Sequence, residues 1–271
     1  MRSFLSFLAG LIAIGAIVVA LPAVWVKERV VDPAGFEATA TKMGESPEIR
    51  AFMADVITTQ ITSRTAGFGA PVVKPFAQRY TQSDAFTQDF VDLAGQQHRW
   101  LFEPAPPGVD PAVMHLDVTG MVRRVAAQVN PRLAEAITGP VRVPVSQRDQ
   151  ALEAGRYERP GAQVSRLAYG SLVVAALAAL LALLFAHNRS TVLGWLGVGG
   201  LLSAAAAWGV GYFFSVRAKD EVAGTEAGVR QVAEVTIDGL VDNLHQWSFV
   251  VGGAGAALLL VGLIGRSFAR G

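Results

Sequence analysis

The stretch LAYGSLVVAALAALLALLFA (residues 167–186), HNRS (187–190) and TVLGWLGVGGLLSAAAAWGVGYFFSV (191–216) decides the fold. Its first run is built of Leu, Ala and Val, with Ser171 the plainly polar exception. Its second run is Gly-rich and carries Trp195 near one end and Trp208, Tyr212, Phe213 and Phe214 near the other. A helix of about 20 apolar residues crosses roughly 30 Å of hydrocarbon at about 1.5 Å per residue. Both runs reach that length. The link between them is only His187-Asn188-Arg189-Ser190, so the two form a tight helical hairpin.

Working outward, residues 4–26 form a third such run, with Ser6 its one clearly polar residue, and residues 247–264 a fourth that opens on Trp247. The run at 4–26 is longer than the apolar core of a secretory signal, roughly 7–15 residues, and no convincing small-x-small cleavage site follows, so a retained anchor is expected. The chain of 271 residues is 52% hydrophobic and only 17% charged. Soluble domains carry about 25% charge, so the composition argues against a cytosolic globular protein and against disorder. A net charge of +1 gives no reason to expect a nucleic-acid partner. With no cysteine there is no disulfide, thiolate nucleophile or Cys zinc site.

The tight hairpin places both termini and residues 187–190 on one side of a membrane, and residues 27–166 and 217–246 on the other. The first side holds Arg2, Arg189, Arg266 and Arg270 and no acid, while all 22 Asp and Glu fall on the second. Lys and Arg in short loops stay cytoplasmic, whereas long segments cross largely regardless of charge. The expectation is a multi-pass plasma-membrane protein with cytoplasmic termini. Its parts are an anchor (1–26), an extracytoplasmic α-rich domain with a small two-stranded element (27–166), a transmembrane hairpin (167–216), an extracytoplasmic amphipathic helix (217–246), and a last span with a short tail (247–271).

Within 27–166, Ser46-Pro47-Glu48 reads as a helix start, with a capping hydroxyl, a first-turn Pro and an acid against the dipole. Ile49, Phe52, Met53, Val56, Ile57 and Ile61 follow on one face, and Gly67, Gly69 and Pro71 are read as the helix end. A shorter helix runs through Phe76 and Tyr80. Thr81, Ser83 and Asp84 open another with a stripe at Phe86, Phe90, Leu93, Ala94 and Leu101. Met114, Leu116 and Val118 alternate as a strand, Thr119 is read as the cap of a Val-rich helix, and Val141, Val143 and Val145 alternate again. Pro144 on the exposed side marks this second strand as an edge, and the two strands are expected to pair. Between 217 and 246, Val229, Val232, Ala233, Ile237, Leu240 and Leu244 form one face, and Glu234, Asp238, Asp242 and His245 the other. This acidic helix is expected to run unbroken into the last span and to dock on the outer domain.

Few residues suggest chemistry. His98 shares a helix with Asp89 and Asp92, but at about 100° per residue Asp89 points the opposite way and Asp92 about 120° away. A packed, hydrogen-bonded histidine is the expectation. His115 and Asp117 read as a solvated strand face, and Arg123-Arg124 as an exposed helix face that lipid phosphate could meet. Asn188-Arg189-Ser190 matches a glycosylation sequon but falls on the cytoplasmic side. There is no phosphate-binding Gly-rich loop, nucleophile elbow or His-Glu-x-x-His. No catalytic, cofactor-binding or metal-ligating residue is assigned. Transport or proton relay calls for ionisable groups inside the spans, and these runs hold none. Gly194, Gly197, Gly199, Gly200, Gly209 and Gly211, with Gly252, Gly253 and Gly255, read as helix-packing positions. They offer a place for an oligomer or an envelope protein partner.

The order of anchor, outer domain, hairpin and last span, with Ser46-Pro47-Glu48-Ile49, the aromatic helix from Ala85-Phe86 to Gln97-His98, and His115-Leu116-Asp117-Val118, resembles a group of uncharacterised integral membrane proteins common in actinobacteria. In that group a Trp is common where this chain has Phe90, and a histidine matching His98 is usual. The resemblance implies a cell-envelope membrane protein and no particular activity. The sequence points first to a non-enzymatic scaffold, sensor or accessory subunit. The alternative is an outer-domain pocket for lipid or a cell-wall precursor, with an envelope enzyme or a transporter last in order.

Overall fold

The computed structural model describes residues 2–65, 69–145, 153–224 and 227–268. It is mostly helical with a small two-stranded sheet, and four of its helices are long and apolar enough to cross a membrane, as a multi-pass protein requires. The chain forms two units. A helical bundle takes Met1–Val30, Gly161–Gly224 and Ile237–Gly271, and a small domain takes Val31–Pro160 and Thr225–Thr236.

The bundle consists of α1 (Arg2–Val26), α8 (Glu158–Phe185), α9 (Arg189–Val222) and most of α10 (Ala227–Phe268). These helices outrun their apolar stretches. α8 begins at Glu158 rather than 167, and α9 continues to Val222 rather than 216. Loss of hydrophobicity does not end a helix. Pro160 lies in the first turn of α8, where its missing N–H costs nothing, and Arg217-Ala218-Lys219 are good helix formers.

Three sets of contacts fix the directions. Ile14 meets Gly199, and the Ser203 hydroxyl donates to the Ile17 carbonyl at 2.9 Å, so α1 and α9 run parallel. Lys219 pairs with Asp238 at 2.5 Å, Ala204 faces Gly252, and Gly194 faces Gly262, so α10 runs antiparallel to α9. The Ser6 hydroxyl donates to the Ala182 carbonyl at 2.9 Å and Lys27, just past α1, lies 5.3 Å from the Tyr169 ring, so α8 runs antiparallel to α1. One end of the bundle therefore collects the start of α1, the turn at 186–188 and the last turns of α10, where Gly265 lies beside Ser190. α9 and α10 touch backbone to backbone. A Cβ on Gly197 would stand 2.5 Å from both the Gly255 carbonyl oxygen and the Leu259 nitrogen, and one on Gly262 2.5 Å from the Gly194 nitrogen. Only glycine permits that approach. The opposite faces carry bare apolar side chains, such as Leu184, Phe213 and Val250.

The small domain opens with a helix the sequence reading did not anticipate, α2 (Pro33–Gly44). The Asp32 carboxylate caps it by accepting from the Ala34 and Gly35 amides at 3.1 and 3.3 Å, with Pro33 in the first turn. Gly44, its last residue, abuts the Phe90 ring. α3 (Pro47–Thr62) starts where expected, but Ser46 does not cap it. The hydroxyl donates instead to the Glu48 carboxylate at 2.6 Å, which holds that carboxyl below its ordinary range. Gly69 and Pro71 open α4 (Ala70–Thr81) rather than close α3, because the Pro ring suits a first turn; Gly67 lies outside the described residues. α5 (Asp84–Phe102) is capped by Ser83, whose hydroxyl oxygen accepts from the Phe86 amide at 3.3 Å. Thr81 belongs to the preceding helix and donates to the Gln78 carbonyl at 3.1 Å.

β1 (Met114–Asp117) and β2 (Arg142–Val145) pair antiparallel, with Met114 opposite Val145, His115 opposite Pro144 and Asp117 opposite Arg142. Between them lie α6 (Thr119–Val129) and α7 (Pro131–Ala136). Thr119 is not a side-chain cap. Asp117 accepts from the Thr119 amide at 2.9 Å, and the Thr119 hydroxyl oxygen accepts from the Val141 amide at 2.8 Å, tying the helix start to the approach to β2. The core is built of Ile49, Ile57, Phe86, Val122 and Val125, all essentially inaccessible to water.

α10 is unbroken from Ala227 to Phe268, and its residues divide between the units. Gly228 faces the Phe52 ring and Val232 packs on the small-domain core. Leu240 and Leu244 instead pack with Leu21, Trp25 and Ala207 in the bundle. The expectation that 217–246 docks as a whole on the outer domain is thus corrected beyond Thr236. An apolar stripe shows that a helix is covered, not by what.

Candidate functional site

His98 is buried, at 5% exposure, between two aromatic rings. Phe102, one turn along α5, stacks on it at 4.5 Å and 20°, and Phe36 of α2 lies at 4.7 Å. Tyr157 extends the row at 6.0 Å from Phe102. The return of the chain holds this row in place. Gly155, in the left-handed region at φ +70°, donates to the Trp100 carbonyl, and the Tyr157 amide donates to Leu101, each at 2.9 Å, so two orphan carbonyls at the end of α5 are satisfied. Asp89 and Asp92 are not brought to His98.

Asp89 belongs to another group. The Tyr80 hydroxyl donates to its Oδ2, and Arg124 donates to Oδ1 at 3.0 Å. Burial and the bond to Asp89 push the Tyr80 phenol well above its ordinary value, so it stays a donor. Arg123 donates to the Ile137 carbonyl at 3.1 Å. The two arginines are exposed, as the sequence suggested, but both are engaged within the fold.

His115 and Asp117 occupy the exposed face of β1. Hydrogen bonding by Thr119, from its hydroxyl and then its amide, keeps the Asp117 carboxyl below the ordinary range. Gln96 of α5 clamps the same residue's backbone, accepting from the Asp117 amide at 3.0 Å and donating to its carbonyl at 3.4 Å. Asn188 of the sequon caps α9 by accepting from the Ser190 amide at 3.1 Å. Among the described residues no group of three or more His, Asp or Glu is placed to hold a metal ion.

A further polar cluster escaped the sequence reading. In the bundle, Trp25 donates to Asn243 Oδ1 at 3.0 Å, and the Arg29 guanidinium lies 6.0 Å from the Trp247 ring. His245 stacks on Trp208 at 3.9 Å and 13°, with Phe249 edge-on to the same indole, and its Nε2 faces Gly211. The sequence puts His245 on the polar face with Glu234, Asp238 and Asp242. Because α10 packs antiparallel on α9, His245 meets Trp208 and Gly211 instead, while Asp238 and Asp242 stay exposed. Spacing gave no signal, since Asn243 and Trp247 share one face towards Trp25 and Arg29 while His245 lies about 200° from Asn243. Arg29 Nε and His245 Nε2 are buried with no hydrogen-bond partner among the described residues.

In comparisons with protein-family models, curated proteins and solved structures, nothing matches this chain.

Proposed function

We propose that the chain is a multi-pass membrane protein of the bacterial envelope, with cytoplasmic termini and the small domain outside, acting as a non-enzymatic scaffold, sensor or accessory subunit. One observation carries the non-enzymatic part. Asp89, Asp117 and His98, the small-domain side chains best suited to chemistry, are engaged in holding its elements together. Asp89 joins α4 to α6 through Tyr80 and Arg124, and Asp117 anchors the start of α6. His98 fills an aromatic row between α2 and α5. The membrane part is supported by the outward apolar faces of four long helices, which water would not tolerate at that extent. The orientation is supported by charge: the bundle end with the start of α1 and the 186–188 turn has Arg189 and Arg266 and no acid nearby in sequence.

Affiliation with the actinobacterial envelope group rests on the motifs quoted above. A partner or second copy at α9 and α10 would use the open positions at Gly209 and Gly253, since Gly197, Gly200, Gly255 and Gly262 are filled by each other's helices. The test is photocrosslinking in intact cells, with benzoylphenylalanine at exposed small-domain positions such as Val72 and Val109 and, as control, at Phe213. The reading expects a discrete protein adduct from a small-domain position and lipid adducts alone from Phe213. A folded domain yielding no adduct, or a purified protein that turns over an envelope substrate, would count against it.

A further inference from the structure

Between α1 and the start of α9, at the end of the bundle that holds the 186–188 turn, lies a cleft of about 230 Å³. Phe7, Leu11 and Ile14 of α1 and Val192 and Trp195 of α9 line it, and His187, Asn188 and Thr191 edge it. Gly10 lines the cleft, and the space beside it is open: a Cβ there would meet no atom within 4 Å. Its volume is below the roughly 300–1,000 Å³ of sites for drug-sized molecules, so a single extended apolar chain suits it better than a bulky ring system. The walls are apolar and the rim is polar, which is the division of an amphiphile.

Charge selects among amphiphiles. The sequence around this end supplies Arg189 and Arg266, and residues 1–26, 186–190 and 264–271 contain no Asp or Glu. A phosphate without a compensating cation would find basic partners here, whereas a choline or ethanolamine ammonium would find no carboxylate. We infer that this cleft is a binding site for one anionic phospholipid of the surrounding leaflet, its acyl chain along Gly10 and Trp195 and its phosphate beside the 187–189 turn. The inference rests on the membrane reading above, but it does not depend on which side the termini face.

The experiment uses the full chain in mild detergent, incubated with equal amounts of phosphatidylglycerol and phosphatidylcholine, with bound lipids counted by native mass spectrometry. The expected result is one retained phosphatidylglycerol per chain and no retained phosphatidylcholine. Gly10→Trp should cut retention at least tenfold, Gly15→Trp, an equally open position on α1 that does not line the cleft, should leave it unchanged, and Arg189→Gln should erase the headgroup preference. Equal retention of both lipids, or full retention in a folded Gly10→Trp variant, would overturn the site. So would a chain that holds no lipid and dimerises through this face. If Gly10→Trp does not fold, brominated phosphatidylglycerol decides: it should quench wild type more than Trp195→Phe, and equal quenching refutes the site. Reversed topology with normal lipid counts would sink the orientation alone.

Discussion

In the bundle, Phe213, Val250 and Leu184 turn their side chains outward at 71, 73 and 65% exposure, while small residues meet at the helix contacts. In the small domain, Phe86, Ile57 and Val122 are wholly buried, and Val72, Val109 and Tyr157 are its only large apolar side chains left exposed among the described residues. The two regions draw on the same kinds of residue and sort them in opposite directions. The small domain follows the rule for water, where burying apolar area drives folding. The bundle is sorted as a lipid surrounding would require, where that drive is absent between helices and close backbone packing replaces it. Stability in one region should therefore respond to lost apolar volume, and in the other to added volume at the helix contacts.

Phe86→Ala should give the largest effect. Its ring touches Tyr80 edge-on and Phe90 at 5.7 Å, and truncation should cost the small domain about 3–5 kcal/mol. Hydrogen exchange read peptide by peptide should show the loss in α3–α6 and leave α8 and α9 protected. Equal loosening of both regions would break the comparison. Gly197→Leu is the mirror experiment. Added volume in a packed site commonly costs about 1–3 kcal/mol, and here the obstructing atoms are backbone, so the upper end or more is expected. Melting in detergent should drop sharply for this variant and hardly at all for Gly209→Leu, whose Cβ meets open space.

Polar effects are smaller and belong to the small domain. Tyr80→Phe removes a donor from Asp89 but leaves Arg124 in place, so a loss of about 1.5–3 kcal/mol is expected. The Tyr80 phenol is raised in the fold, so its contribution is full below the ordinary phenol value of about 10 and fades as pH climbs beyond it. Denaturant titrations of wild type and variant should run parallel at neutral pH and converge in strong alkali. Asp117 has the opposite sign. Its lowered carboxyl stabilises above the ordinary value of about 3.9 and stops doing so as pH falls through its folded value. Asp117→Ala should cost about 1 kcal/mol at neutral pH and flatten the acid limb, the difference narrowing as pH falls.

The four long helices, the paired strands at 114–117 and 142–145 and the unbroken α10 were legible because each rests on a repeat: a long apolar run, an alternation of two, or a stripe of 3.6. Local chemistry was less legible where one residue type serves two roles. Ser46 and Thr119 looked like caps, yet their hydroxyls bond Glu48 and the Val141 amide, and the first amide of α6 is taken by Asp117 from just before the helix. Gly69-Ala70-Pro71 is equally a stop and a start. α2 announced itself only through Asp32-Pro33, and without α2 the Phe36 wall of the His98 row could not be foreseen. Geometry had separated His98 from Asp89, and the fold gives each a different set of neighbours. The neighbours of His245 were not legible because helical periodicity describes one helix, whereas they come from Trp208 and Gly211 of α9 packed against it.

The account turns on the bundle lying in a membrane with the small domain outside the cell. The chain has no cysteine, so single cysteines report cleanly. Asp110→Cys, on an exposed loop of the small domain, and His187→Cys, at the exposed turn between α8 and α9, should be compared in intact cells with a membrane-impermeant maleimide. The account predicts labelling of the first before, and of the second only after, permeabilisation. Labelling of the second alone in intact cells, or recovery of the whole chain in the soluble fraction, would contradict it.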